Sequence, residues 1–392
     1  MDNRHATITL NLIQGLGPAR IQQLLSVFGD ARSILEADID ALKRVHGIGP
    51  KIAESIASWR ENTDADKEME LAERAGVSLV LQEDDNYPPL LREIADPPLC
   101  LYVRGDRQAL AQTDTSLAIV GSRRTTFYGT RTAEHLSSSI ARTGWSVVSG
   151  LATGIDATAQ ESALTAGGTT IAVLGSGLNR IYPQENIDLA RRIQDQGGAL
   201  VSEFPMQFPP DRRSFPMRNR IISGLTRGTL VVQAGDKSGS LITANMALEQ
   251  GRQVFAVPGQ IDTPQARGCN QLIKEGAKLV EHAGDILEEI REFHPADTNA
   301  PDENIGQSEK IAPEQEESEQ KKNFTKLHLS ELEDKIVNVV YENGQIDIDT
   351  LIATLDAPSS KILTTVVGLE MKQVLRQLPG RRVAAINNSV LA

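Results

Sequence analysis

Several features that would settle this chain's chemistry are scarce or missing. Its two cysteines, Cys100 and Cys269, have neither metal-ligand spacing nor further cysteine partners. That excludes a zinc ribbon or a disulfide framework and points to a reducing cytosol. The six histidines are scattered without ligand spacing, and no nucleophile-histidine-acid set is legible; no metal and no catalytic residue are expected. Met1-Asp2-Asn3-Arg4-His5 lacks the apolar centre of a signal peptide, and no apolar run approaches the roughly 18 residues that span a bilayer. A cytoplasmic protein that avoids membranes is the expectation. Positive charge is also in deficit, with 40 Lys and Arg against 52 Asp and Glu, a formal net charge of -12. Taken globally, that balance argues against a nucleic-acid binder.

The acidity is concentrated, however. Between Asp302 and Glu319 stand Asp302, Glu303, Glu309, Glu314, Glu316, Glu317 and Glu319 against one lysine, Lys310, among Pro, Gln and Ser. Such a stretch reads as a disordered linker, placed at 294–326, and it separates the negative charge from whatever the rest of the chain binds. At 392 residues and 40% hydrophobic content, two or three domains are expected.

Residues 1–76 read as helical. Gly15-Leu16-Gly17-Pro18 and Gly47-Ile48-Gly49-Pro50 repeat one phrase, each followed by apolar residues at helical spacing. A Gly-apolar-Gly turn of this kind resembles a helix-hairpin-helix (SAM-like) domain, which turns backbone N–H groups toward DNA phosphate. A purely packing role stands beside that reading, because few bases (Lys43, Arg44, Lys51) lie near the turns. From 77 to 293, apolar runs at 79–81, 117–120, 146–149, 170–174, 199–202, 229–232, 254–257 and 278–280 alternate with segments long enough for helical crossovers. The pattern predicts an α/β fold, an extended Rossmann-like parallel sheet covered on both faces. Pro88-Pro89 and Pro97-Pro98 read as a stiff approach to it. Residues 327–392 predict a winged helix: Leu332, Ile336, Val339 and Val340 form a helical stripe, 348–355 and 359–371 supply two more helices, and Val374-Leu375 with 383–386 form a wing around Pro379-Gly380-Arg381-Arg382. Its recognition helix carries only Lys361 and Lys372, so partner contact or regulation is favoured over duplex reading.

Three basic, glycine-bearing turns follow or flank buried strands: Gly121-Ser122-Arg123-Arg124, Phe215-Pro216-Met217-Arg218-Asn219-Arg220, and Gly235-Asp236-Lys237-Ser238-Gly239-Ser240. Parallel sheets bind ligands at the carboxyl ends of their strands, where such turns converge. The first turn lacks Gly-x-Gly-x-x-Gly, the second strand ends in Ser149-Gly150 instead of a ribose-binding acid, and no Walker glycine pair precedes Lys237. NAD and ATP are therefore disfavoured, and no cofactor is expected. What remains is a set of turns and helix N-termini suited to phosphate. Asp156 reads as an N-cap or first-turn acid rather than a catalytic one.

Val120-Gly121-Ser122-Arg123, Ser149-Gly150-Leu151-Ala152-Thr153-Gly154-Ile155-Asp156, Phe215-Pro216-x-Arg218-Asn219-Arg220 and Lys237-Ser238-Gly239-Ser240-Leu241-x-Thr243-Ala244, in this order, resemble the bacterial DNA-processing protein A (DprA/Smf) family. The resemblance implies a non-enzymatic single-stranded DNA-binding protein. Such a protein protects strands entering during natural transformation (competence) and loads the RecA recombinase onto DNA coated by single-strand-binding protein. It implies a pocket at Gly121, Ser122, Arg123, Gly150, Gly154, Arg218, Asn219, Arg220, Lys237, Ser238 and Gly239, with Arg123 and Lys237 foremost. Phe127, Tyr128 and Phe215 are candidates for base stacking, Phe215 equally for core. It further implies a homodimer through the segment 270–276, with Leu272 and Ile273 as an exposed pair; the bland alternative turns both toward the sheet. The rival class is a nucleotide-processing phosphoribohydrolase. Its Gly-Thr step aligned on Gly239-Ser240 puts Thr243 where its glutamate acts, so the acid is missing.

Overall fold

The computed structural model describes residues 1–111, 113–293, 331–343, 345–355, 357–371, 374–378 and 382–385. The linker expected at 294–326, the wing tip at 379–381 and Lys372 lie outside the described residues. The chain divides into two compact units, at 1–305 and 306–392.

The first unit is built on a nine-stranded sheet: β1 (Val77–Leu81), β2 (Cys100–Gly105), β3 (Ser116–Gly121), β4 (Ser146–Ser149), β5 (Thr170–Val173), β6 (Ala199–Ser202), β7 (Gly228–Gln233), β8 (Gln253–Ala256) and β9 (Lys278–Leu279). Their spatial order is β1-β2-β6-β5-β4-β3-β7-β8-β9. From β6 to β9 every pairing is parallel. β3 is buried along nearly its whole length, as expected for a strand with helices on both faces. Its side chains alternate: Leu117 and Ile119 join one core cluster, Ala118 and Val120 the other. Helices Phe127–Arg142, Ile155–Thr165 and Ala283–Phe293 cover the first face through Leu136, Ala159 and Ile286. Helices Ser214–Gly224, Gly239–Glu249 and Arg267–Lys274 cover the second through Ile221, Ala244 and Leu272.

One expectation needs correction. β2 was not legible as a strand, and it pairs antiparallel with both β1 and β6, so the sheet is mixed rather than wholly parallel. The prolines at 97–98 deliver the chain into β2 by way of Leu99. They mark a strand entry, a position that needs no ladder N–H from them. The N-terminal helices have a core of their own and also pack on the sheet. Ile8 packs with Leu81 and Tyr102 in one cluster, Glu68 accepts a 2.6 Å hydrogen bond from Met206 N–H, and Arg4 pairs with Asp84 at 2.9 Å.

Within residues 1–76 the two hairpins are tied together. Gly17 and Gly49 are the N-caps of helices Pro18–Phe28 and Pro50–Ala57. Arg20 donates to the carbonyl oxygens of both Gly15 (3.1 Å) and Gly47 (3.3 Å), so this base holds one turn against the other.

The second unit comprises helix Glu331–Asn343, β10 (Gln345–Asp347), helices Ile348–Thr354 and Ser359–Met371, β11 (Leu375–Leu378) and β12 (Arg382–Ala385). Its sheet is antiparallel in the order β10-β12-β11. Ile336, Val340, Ile362, Val366 and Leu369 share its core, in keeping with the helical stripes read from sequence. β10, a third strand, was not anticipated.

Candidate single-strand cleft

In sequence order β4, β5 and β6 step away from β3 to one side, and β7, β8 and β9 to the other. The direction of winding therefore reverses between β3 and β7, the position at which a doubly wound sheet opens a crevice at its carboxyl edge. A cleft of about 1140 Å³ lies there, lined among others by Ser122, Arg123, Arg212, Phe215, Asn219 and Lys237.

The turn after β3 is held in place by the end of β7. Ser122 N–H donates to the Gln233 carbonyl at 2.7 Å, the Gln233 side-chain oxygen accepts from Thr126 N–H at 2.9 Å, and its amide nitrogen donates to Thr126 Oγ1 at 2.8 Å. Gln233 is a positioning residue that the sequence reading missed; its only signal is a polar side chain closing an apolar strand. The turn after β7 leads into helix Gly239–Glu249, whose N-cap Ser238 accepts from Ser240 N–H and shares a 2.8 Å hydroxyl contact with Ser240. A Cβ placed on Gly239 would meet nothing within 4 Å. The positive end of this helix therefore faces open space beside Lys237, an arrangement that favours an anion.

The cations of the cleft divide into engaged and free. Arg218 is buried, and its guanidinium lies against Gly150, donating to the carbonyl oxygens of Gly150 (2.7 Å) and Val173. Burial pulls its pKa down to about 10, against the supporting field of Asp156. Asp156 stands in the first turn of helix Ile155–Thr165, with Gly154 as the N-cap, and accepts Gly150 N–H at 3.1 Å. Burial raises its pKa, and Arg218 opposes that shift. Arg218 and Asp156 thus lie within each other's field, each opposing the shift that burial imposes on the other. Asp236, on the rim, lies 3.8 Å from Arg267. Arg123, Arg124, Arg212 and Lys237 line the cleft with no carboxylate partner among the described residues. Arg123 sits 5.3 Å over the Phe215 ring, and Phe215 is 5.7 Å from Tyr182.

The residues named from sequence do not all arrive together. Gly121, Ser122, Arg123, Arg218, Asn219, Lys237, Ser238 and Gly239 line the cleft, and Gly150 lines a smaller recess beside it. Gly150 and Gly154 serve as spacers. The N–H of Gly150 is taken by Asp156, and a Cβ there would lie 2.6 Å from the Arg218 guanidinium. Gly154 has φ +82°, with the Ser122 carbonyl oxygen 2.3 Å from where its Cβ would be. Arg220 must be removed from the group. It is 5% exposed and pairs with buried Glu203 at 2.5 Å and with Asp96 at 3.1 Å, beneath the helix and outside the cleft. Phe127 and Tyr128 are exposed but do not line the cleft; Tyr182, unnoticed in the sequence, does. Of the expected interface pair, Leu272 is buried in the sheet core and Ile273 packs partly against the same cluster, so they are not an exposed pair.

A doubly wound sheet with a cation-rimmed cleft at its switch point defines a Rossmann-type architecture. The particular lineage is specific: the chain belongs to the DNA recombination-mediator protein A family, whose model matches residues 78–291. A SAM-like helix-hairpin-helix tandem matches residues 8–58. The Smf protein of Escherichia coli is 48% identical over 213 residues, 54% of this chain and 56% of the relative, so the match spans little more than half of that protein. The crystal structure of DprA from Streptococcus pneumoniae superposes with a TM-score of 0.64 at 35% identity, covering 74% of this chain and 99% of that one. DprA from Helicobacter pylori, described for its single-stranded DNA binding mode, superposes with a TM-score of 0.50 at 31% identity, covering 55% and 96%. No described helix is long and apolar enough to cross a membrane.

Proposed function

We propose that this chain binds single-stranded DNA in the switch-point cleft, without covalent chemistry, and hands it to a recombinase. The observation that carries this reading is the set of four cations without a close ion-pair partner among the described residues, Arg123, Arg124, Arg212 and Lys237, beside an open helix N-terminus and the Phe215–Tyr182 wall. Phosphate contacts give affinity with little sequence preference, and bases stack on aromatic rings only when unpaired, so single strands are favoured over duplex. The single-stranded DNA binding mode of the Helicobacter relative supports the same ligand class. On this reading the protein protects entering strands during natural transformation and loads RecA onto strands coated by single-strand-binding protein. It acts as a homodimer in the cytoplasm, with the C-terminal unit a winged helix for partner contact.

The test sets binding against catalysis. A labelled oligothymidylate should shift in a native gel, and its shift should be competed by unlabelled single strand far better than by duplex. Incubation with nucleoside monophosphates should release no free base. Base release with no gel shift would replace this reading with the phosphoribohydrolase one.

A further inference from the structure

A second basic cavity adjoins the cleft. It measures about 490 Å³ and is lined by Arg104, Asn179, Arg180, Tyr182 and Gln184 among others. Tyr182 lines this cavity, the main cleft and the small recess beside the cleft, so the three hollows share one side chain. Tyr182 is 44% exposed. Arg104, at the end of β2, is half-buried. It donates to the Leu178 carbonyl oxygen at 3.1 Å and to Asn179 Oδ1 at 2.9 Å, while its Nε is buried without an acceptor. Burial lowers its pKa, and no carboxylate offsets the shift. Arg180 is exposed and has no carboxylate partner among the described residues. Its backbone fixes the turn, since its N–H donates to Gly177 O at 2.8 Å and its carbonyl accepts from Ser176 Oγ at 2.7 Å. The side chain is thus unused by the fold.

A half-buried cation without a counter-charge, a second free cation and an exposed ring between them and the cleft give the alternation of charge and stacking surface that a single strand requires. We infer that a strand held in the cleft leaves it across Tyr182 and continues into the Arg104–Arg180 cavity, which takes a further backbone phosphate. The inference rests on the proposed cleft function and extends the strand's path beyond it.

The experiment measures oligothymidylate affinity by fluorescence anisotropy over lengths from about 4 to 16 nucleotides, the range of single-strand site sizes, for the full chain and for Arg180→Ala, Arg180→Lys and Lys237→Ala. Arg180→Ala should bind the shortest strands like wild type and the longest about tenfold more weakly, as expected for a lost charge-assisted contact. Its salt slope on the longest strands should fall by about 0.7, and Arg180→Lys should recover most of the loss. Lys237→Ala should weaken binding at every length. Wild-type behaviour of Arg180→Ala at all lengths, beside a weakened Lys237→Ala, overturns the extended path alone; two neutral variants overturn the cleft reading as well.

Discussion

Arg218 and Arg220 lie two residues apart on one helix, yet neither is a free phosphate ligand. Arg218 is spent on the carbonyl oxygens of Gly150 and Val173, and Arg220 on Glu203 and Asp96. The sequence shows four arginines near glycine turns but cannot show which have carboxylates waiting, because Glu203 and Asp96 come from distant segments. A separation of effects follows. Arg220→Ala leaves a buried Glu203 unpaired and should destabilise the fold by about 3–5 kcal/mol. The salt slope of single-strand binding should stay unchanged in whatever protein remains folded. Thermal melting together with anisotropy checks both halves; a reduced slope at full stability would return Arg220 to the site.

At the scale of elements, the strands with two covered faces were the most legible, since runs such as 117–120 and 229–232 carry their own signal. β2 was hidden because Cys100–Gly105 follows a proline pair and mixes Tyr and Arg into its pattern. Helix Arg267–Lys274 shows the opposite difficulty: Leu272 and Ile273 are adjacent, and only packing distinguishes the buried residue from the half-exposed one. Leu272→Ala should therefore cost about 2–5 kcal/mol of stability, as core leucine truncations do. Ile273→Glu should leave the chain folded and, if the proposed dimer uses this helix, yield a monomer by light scattering. Folded dimers of Ile273→Glu would move the interface elsewhere; an unmoved melting temperature in Leu272→Ala would contradict its place in the core.

For the whole molecule, the net charge of -12 is a poor guide to the cleft, where free cations gather at the carboxyl edge of one sheet. Turns and order of motifs were readable along the chain; the convergence of the β3 and β7 turns, their clamp through Gln233 and the arrival of Tyr182 depend on the three-dimensional winding. The shared packing of Ile8 with Leu81 and Tyr102 also sets how the chain can be cut. A fragment of residues 77–292 should melt well below one of residues 1–293, because its sheet loses that cover. The longer fragment should bind single strands nearly as tightly as the full chain, and loss of binding by folded 1–293 would shift the site to the C-terminal unit. The most direct test of the central claim is the salt dependence of oligothymidylate affinity for the Arg123→Ala, Lys237→Ala double variant. The cleft account predicts a folded protein, by circular dichroism, whose affinity falls by about 1.5–3 kcal/mol for each lost charge-assisted contact and whose log–log salt slope falls by about 0.7 per lost phosphate. A folded double variant with wild-type affinity and slope would contradict it.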